Sequence, residues 1–502
     1  MPTAGLGDRA VPNRDIMTFA RDLIIGGADL PARGGRTVSV TTPHTGAVHA
    51  TVAAADPADV TAAITAADNA FPDWAALSPF ERRAIFLRAA DLLEAQAEQA
   101  TRIMAGEVGA TAGWAGFNVW LAANTLREAA AAITAPRGEV LTAQQPGVLG
   151  MAVRQPVGVV AAFAPWNAPI ILGVRALAAP LAAGNTLVLK PSEAAPMSSG
   201  LFLADILREA GLPDGVLDVI TNDPADAPVI AETLIADDRV RAVNFTGSTA
   251  VGRIIGTLAA QHLKPAVLEL GGKNSLIVLA DADVDYAVAA AAFSICLNSG
   301  QICMSADRLL VHESLAEEFG AKLAAALTAL PAGDPTDPAV ALGPLMSAAA
   351  ASRVAGLVAD AVADGAKLLA GGGDPTGAHY PATLLSDVPA HARLHYTESF
   401  GPVCVIDTFT TDDEAVAKAN DTENGLSAGV ITENATHGLR VATRLKTGIV
   451  HINDQTIMDE PQAPFGGFKA SGYGRFGGRW GIEAFSNTRW VTVATEHAQF
   501  PG

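Results

Sequence analysis

The chain is poor in cysteine, in positive charge and in long unbroken apolar runs. Its three cysteines, Cys296, Cys303 and Cys404, are too few for a disulfide framework in 502 residues, and their spacing fits no zinc pattern. Reduced thiols in a cytoplasmic protein are the simplest expectation. Lys and Arg total 33 against 52 Asp and Glu, a formal net charge of -19. Such a surface repels phosphate backbones and anionic bilayers, so neither nucleic acid nor a membrane is an expected partner. The longest apolar stretches, Val157 to Ala164 and Ile170 to Leu189, are interrupted by Pro165, Pro180, Gly184 and Asn185, and none is expected to span a bilayer. Met1 to Arg14, which includes Asp8, Arg9 and Pro12, lacks the apolar core of a signal peptide. None of the predicted strands ends in Gly-x-Gly-x-x-Gly, and the ten histidines include no His-Glu-x-x-His, so no metal is expected and a metal hydrolase is disfavoured.

What is present describes a folded enzyme-sized chain. Hydrophobic residues make up 50% and charged residues 17%, without blocks of like charge, which excludes a disordered protein. The length exceeds one ordinary core and suggests two or three domains in one subunit. Near the start, Thr37 to Val40 and Val48 to Val52 flank the turn formers of Pro43-His44-Thr45-Gly46 and predict a hairpin. Ser78-Pro79-Phe80-Glu81 predicts a helix start, with Ser78 as cap, Pro79 in the first helical position and Glu81 completing a capping box. Ile85, Ala89, Leu92 and Leu93 follow on one helical face.

Beyond Pro156, β-branched runs at Val157 to Ala164, Thr186 to Lys190, Val216 to Ile220 and Val240 to Phe245 alternate with Ala- and Leu-rich segments. This alternation predicts parallel strands covered by helices. A second series runs through Ser275 to Leu279, Arg308 to His312, Val403 to Phe409, Ala428 to Thr432 and Gly448 to Asn453, giving two α/β domains with a boundary near Glu269 to Gly272. Gly184 and Gly211 read as helix stops, and Gly371-Gly372-Gly373 as a surface loop. The last segment, Arg489 to Thr495, reads as an edge strand that pairs with Gly150 to Arg154 across subunits.

Several short motifs carry chemistry. Phe245-Thr246-Gly247-Ser248 ends a strand and opens a helix, where free backbone N–H groups can seat a pyrophosphate. Gly252 is followed by Arg253-Ile254, not Lys-Ser/Thr, so this is no ATP loop. Lys190-Pro191-Ser192-Glu193 ends another strand; Lys190 can bond a ribose hydroxyl, and Glu193 can accept from a second and repel the extra phosphate of NADP. Cys303 lies in the small, polar run Asn298-Ser299-Gly300-Gln301-Ile302-Cys303-Met304, whereas Cys296 and Cys404 lie in apolar segments typical of structural thiols. Glu269, between Leu268 and Leu270, can become a general base if desolvated, and Asn167 in Pro165-Trp166-Asn167 can donate to an oxyanion. Taken singly, each motif also fits a plain turn or a solvated strand end.

Together, and in this order, they resemble the NAD(P)-dependent aldehyde dehydrogenase superfamily from about Ile24 to Val493. Pro165-Trp166-Asn167, Lys190 to Glu193, Phe245 to Ser248, Glu269-Leu270-Gly271-Gly272-Lys273, Gly300-Gln301-x-Cys303, Glu398-Ser399-Phe400-Gly401-Pro402 and Pro464-Phe465-Gly466-Gly467 carry the resemblance. It implies a Rossmann-type nucleotide domain (15–136 and 156–269), an α/β catalytic domain (270–470) and a small β oligomerisation element (137–155 and 486–498), in a homodimer or homotetramer. It implies that Cys303 attacks the aldehyde, that Asn167 and the Cys303 N–H hold the oxyanion, and that Glu269 activates the water that hydrolyses the thioester. NAD, or NADP, would lie against Ala164, Trp166, Lys190, Ser192, Glu193, Gly247, Ser248, Gly252, Leu270, Glu398 and Phe400.

Within the superfamily the chain is most similar to bacterial dehydrogenases of aromatic aldehydes, the salicylaldehyde, benzaldehyde and vanillin type. That similarity rests on the run from Asn298 to Ser305, on Arg175 and on Gly472 to Gly478. Arg175 would meet a ring hydroxyl or carboxylate, or stack on a ring face, or else form a helix-surface ion pair. Trp114, Phe117 and Trp120 would line the pocket entrance or pack between helices, and Ile302, Met304 and Phe465 would shape the pocket. Thr42, Ser399 and Ile302 depart from the common family pattern without touching the chemistry. An aliphatic semialdehyde dehydrogenase, a CoA-acylating dehydrogenase and a non-catalytic binding protein on the same fold stand as alternatives; Glu269 argues against the CoA route.

Overall fold

The computed structural model describes residues 18–135, 137–497 and 500. Met1 to Arg14, and the domain-edge residues 15–17, 136 and 498, lie outside the described residues. Two large sheets organise the rest. The first has eight strands in the order Gly472–Tyr473, Ala266–Glu269, Val240–Thr246, Val159–Ala164, Thr186–Pro191, Leu217–Val219, Leu23–Ile25 and Ala28–Leu30, and its five central strands are parallel. The second has seven, in the order Lys367–Ala370, Thr383–Ser386, Val403–Phe409, Ala306–His312, Asn274–Val278, Ser427–Ile431 and Ile449–Ile452, all parallel except the first. Both sheets carry helices on their faces, so their central strands are buried and read as continuous apolar runs.

The apolar stretch after Asn167 is the helix Pro169–Ala183, buried at nearly every position. Covered on all sides, it has no polar face to present, which explains its lack of amphipathic spacing. It stops at Gly184, whose φ of 100° is left-handed. Ser78 caps the helix Pro79–Ala95 by accepting from the Phe80 N–H (3.3 Å), with Pro79 in the first helical position. The full capping box, with reciprocal bonds, is found one helix earlier, where Asp56 and Asp59 start Pro57–Ala76.

The predicted hairpin forms as Thr37–Thr41 against Val48–Ala53, joined on its other side by Phe19–Arg21. One expectation is corrected. Ser486–Ala494 pairs with Val148–Pro156 inside the same chain, Trp490 opposite Ala152 and Thr492 opposite Gly150, so the pairing of these two strands expected across subunits is met within one chain. The helix Gly478–Ala484 brings the chain back beside the earlier strand, and Ser486–Ala494 remains the outer strand of the sheet. Gly138–Leu141 completes this three-stranded sheet, which leaves Val140, Leu149, Trp490 and Val493 exposed. Among the described residues, no helix is long and apolar enough to cross a membrane.

Candidate active site

The carboxyl ends of Val159–Ala164, Thr186–Pro191, Val240–Thr246 and Ala266–Glu269 lie side by side, the edge at which parallel sheets bind ligands. A cleft of about 290 Å³ opens there, lined by Trp166, Asn167, Gly247, Ser248, Glu269, Leu270, Cys303, Glu398 and Phe400 among others. Ser248 caps the helix Thr249–Gln261 by accepting from the Val251 N–H (3.3 Å). The other N–H groups of that first turn have no helical acceptor, and the helix dipole adds positive potential where a pyrophosphate would sit. Gly252 serves this motif from behind: a Cβ there would stand 2.2 Å from the Leu270 side chain, so glycine lets the helix seat against a cleft wall. Ala164 ends its strand buried.

Lys190 and Glu193 form a 2.5 Å ion pair at the adjoining strand end, and Asn222 Nδ2 also donates to Glu193 (3.0 Å). Burial alone would push the Glu193 carboxyl up, but the Lys190 charge and these hydrogen bonds outweigh it and hold it below its usual range. Ser192 Oγ is occupied locally, accepting from the Ala194 N–H. Hydroxyl-binding charges beside an anion-binding helix start suit a dinucleotide.

The opposite wall comes from the second sheet's loops. Glu398 Oε1 accepts from the Gly272 N–H (3.1 Å), and a Cβ on Gly271 would stand 2.4 Å from Glu398 Oε2, so the two glycines form the cradle for this carboxyl. Burial, with Asp307's charge adding, pushes Glu398 up to about 8 against the opposing effects of the Gly272 bond, Lys273 and Arg353. Phe400 is held at φ 45°, strain of about 1–3 kcal/mol for a non-glycine residue, with its ring edge-on to Trp166 at 5.6 Å. Neighbouring charged side chains hold it there. Arg353 donates to the Ser399 carbonyl (2.5 Å), Asp307 accepts from Ser399 N–H and Oγ–H, and Lys273 donates to the Thr397 carbonyl (2.7 Å).

Cys303 follows a tight turn in which Asn298, Ser299 and Gly300 all have positive φ. At Gly300 a Cβ would stand 2.1 Å from the Gly401 carbonyl, so only glycine fits. Gln301 locks the turn, donating to Asn298 O (3.2 Å) and accepting from the Met346 N–H (2.8 Å), while Asn274 donates to Cys303 O (2.8 Å). The half-buried Cys303 thiol is pushed up to about 12, first by burial and then by Glu398 and Glu269, with Arg175 opposing. Cys296 and Cys404 are core residues of the second sheet.

Glu269 is buried, its Oε1 has no hydrogen-bond partner, and burial raises its carboxyl well above the usual range, against Arg175 and Arg475. An unpartnered buried carboxyl of this kind costs about 1–3 kcal/mol and is kept where function requires it. Asn167 Nδ2 donates one hydrogen to Gln301 O (3.0 Å), which leaves its second for another acceptor. Its own carbonyl accepts from Trp114 Nε1 (3.1 Å) and Asn298 Nδ2 (2.8 Å).

The proposed pocket residues divide. Trp114, Phe117 and Trp120 form a ladder with ring spacings of 5.7 and 5.8 Å, but Trp120 is 53% exposed at its outer end. Ile302 and Met304 are buried in the main core cluster and are absent from the cleft wall. Arg175 is neither on the surface nor free for a ring hydroxyl: its buried guanidinium pairs with Asp459 and lies 3.9 Å over the Phe465 ring. Asp459, Arg475, Lys273, Asp307 and Arg353 had no signal as site residues, because each is one charge among many in loops or helices until the fold brings it to the cleft.

A thiol and a buried carboxyl that resists ionisation line one cleft beside an anion-binding helix start, a set suited to sulfur attack on a carbonyl with electrons passed to a cofactor. The chain belongs to the aldehyde dehydrogenase family, which matches residues 30–491. It is 52% identical over 479 residues to the vanillin dehydrogenase of Pseudomonas fluorescens, covering 95% of this chain and 99% of that one. It is 40% identical over 471 residues to the NAD(+) benzaldehyde dehydrogenase of Pseudomonas putida, covering 94% and 96%. The crystal structure of a salicylaldehyde dehydrogenase from Pseudomonas putida G7 complexed with salicylaldehyde superimposes with a TM-score of 0.94 at 42% identity, covering 97% of this chain and 100% of that one.

Proposed function

We propose that this aldehyde dehydrogenase oxidises an aromatic aldehyde to its carboxylic acid, with NAD as acceptor and Cys303 as nucleophile. The observation that carries the reading is the convergence of the Cys303 thiol, the unpartnered Glu269 carboxyl and the Asn167 amide on one cleft. Cys303 Sγ adds to the aldehyde carbon as its proton is lost to water in the cleft. The free Asn167 N–H and the Cys303 backbone N–H stabilise the oxyanion of the thiohemiacetal. Lys190, Glu193, Ser248, Glu398 and Phe400 would hold NAD, which would supply the hydride acceptor. A thioester then remains on Cys303, and Glu269, once ionised, takes a proton from the water that hydrolyses it. The Glu193 carboxylate disfavours the additional phosphate of NADP.

The likeness to vanillin, benzaldehyde and salicylaldehyde dehydrogenases favours the aromatic substrate. Residues 15–136 with 156–269 form the nucleotide domain, 270–470 the catalytic domain, and 137–155 with 486–498 the element through which a cytoplasmic homodimer or homotetramer assembles. The exposed Val140, Leu149 and Trp490 on that element favour assembly there. The test is absorbance at 340 nm with NAD and then NADP against benzaldehyde, hydroxybenzaldehydes, vanillin and aliphatic aldehydes. Preference for aromatic aldehydes with NAD is expected. Preference for aliphatic semialdehydes would remove the aromatic assignment and leave the chemistry standing.

A further inference from the structure

Arg175 and Asp459 come from separate parts of the chain, the helix Pro169–Ala183 and the irregular segment after Ile449–Ile452. Their side chains are 9% and 7% exposed and make an ion pair. Desolvating two charges is expensive, and a buried pair gives stability little advantage over apolar residues of the same volume. Its surroundings point to another use. The Arg175 guanidinium stacks on Phe465, and the next residue, Gly466, has Glu269 Oε1 only 2.7 Å from where its Cβ would stand. Arg475 Nη1 lies 2.8 Å from that same point. The pair is therefore fixed behind the wall that the catalytic carboxyl touches.

We propose that Arg175 and Asp459 form an oriented charge pair that sets how readily Cys303 and Glu269 ionise, with Arg175 as the favourable countercharge and Asp459 as its anchor and brake. This rests on the reading of Cys303 and Glu269 given above. Arg175 acts on both groups more strongly than Asp459 does, in the direction that favours the anion, while Asp459 opposes it. The other charged groups around these residues are Arg475, beside the strand Gly472–Tyr473, Glu398 and Arg353, which line the cleft with Cys303 and Glu269, and Glu128 and Glu460, which line a pocket with Arg175 and Asp459. Arg475 donates to the carbonyls of Gly467 (3.1 Å) and Gly474 (2.5 Å), which holds it on the far side of Gly466. Arg175 is thus a positioning residue: Asp459 and Phe465 occupy its guanidinium, and it reaches the reaction through its field.

The test is the pH dependence of Cys303 alkylation by iodoacetamide in the full chain, which requires no knowledge of the aldehyde. Below the thiol's pKa the rate follows the thiolate fraction, so a shift of one unit is about a tenfold change at any fixed pH. Arg175→Met, which keeps an apolar stem against Phe465, is expected to slow alkylation about tenfold. Asp459→Asn is expected to speed it by a smaller factor, and Arg175→Lys to stay between wild type and Arg175→Met. NAD affinity, measured by fluorescence quenching, is expected to be unchanged in all three. Coincident profiles, or shifts of Arg175→Met and Asp459→Asn in the same direction, overturn the proposal. Should Arg175→Met fail to fold, a slowed Asp459→Asn overturns it equally. Wild-type alkylation confined to Cys296 or Cys404 would instead overturn the assignment of Cys303 on which the proposal rests.

Discussion

The two walls of the cleft treat charge in opposite ways. At the strand end of Thr186–Pro191, Lys190 and Glu193 neutralise each other at 2.5 Å and Asn222 takes up a remaining lone pair. At the catalytic wall, where Glu269 of the first sheet and Cys303 line the same cleft, Glu269 has an oxygen with no partner and Cys303 is pushed up to about 12, burial disfavouring the anion of each. A binding wall gains from being preorganised, with its hydrogen-bonding groups already oriented before the ligand arrives. Reaction requires groups whose protonation can change, and burial without a full set of partners keeps them poised between states.

Mutations can test this contrast wall by wall. Cys303→Ala is expected to have the largest effect, a loss of oxidation by about 10⁴ or more measured as NADH formation, with nucleotide binding by calorimetry intact. Residual activity near wild type would make the thiol a bystander. Next, Glu269→Gln is expected to retain a stoichiometric burst of NADH in stopped flow and then turn over about 10²–10³ times more slowly, because only hydrolysis lacks its base. A missing burst would place Glu269 in thiol activation instead.

Glu398 lies between the walls in character, since it binds but is buried. Its carboxyl, pushed up to about 8, is expected to ionise as pH rises from 7 to 9, and the ionised form accepts ribose hydroxyls better. NAD affinity should therefore rise across that range, by about tenfold or less, and Glu398→Gln should flatten the profile. A falling profile would contradict the assignment. The smallest effect belongs to the paired wall, where Lys190→Met is expected to weaken NAD binding by about tenfold with little change in kcat.

Much of this was legible before folding. The parallel strands around Val159–Ala164 announce themselves as apolar runs because both faces of the sheet are covered. Cys303 differs from Cys296 and Cys404 because its neighbours are small and polar, and that same composition permits the left-handed turn at Asn298 to Gly300. The short strands Phe19–Arg21, Leu23–Ile25 and Ala28–Leu30 were not legible, since three residues carry too little periodicity. Nor was the solvent exposure of Trp120, or the ion pair that removes Arg175 from the surface.

By itself, the sequence determined the elements and the order of the motifs and pointed to Cys303, Glu269 and Asn167 as the proposed nucleophile, base and oxyanion donor, because side-chain chemistry and local backbone preference reside in neighbouring residues. The tertiary structure alone decided which charges meet. Asp459 finds Arg175, Arg475 approaches Glu269 across Gly466, and Lys273 with Asp307 braces the segment ahead of Phe400. These encounters join residues far apart in the chain, and their strength depends on burial, which exists only once the sheets have packed.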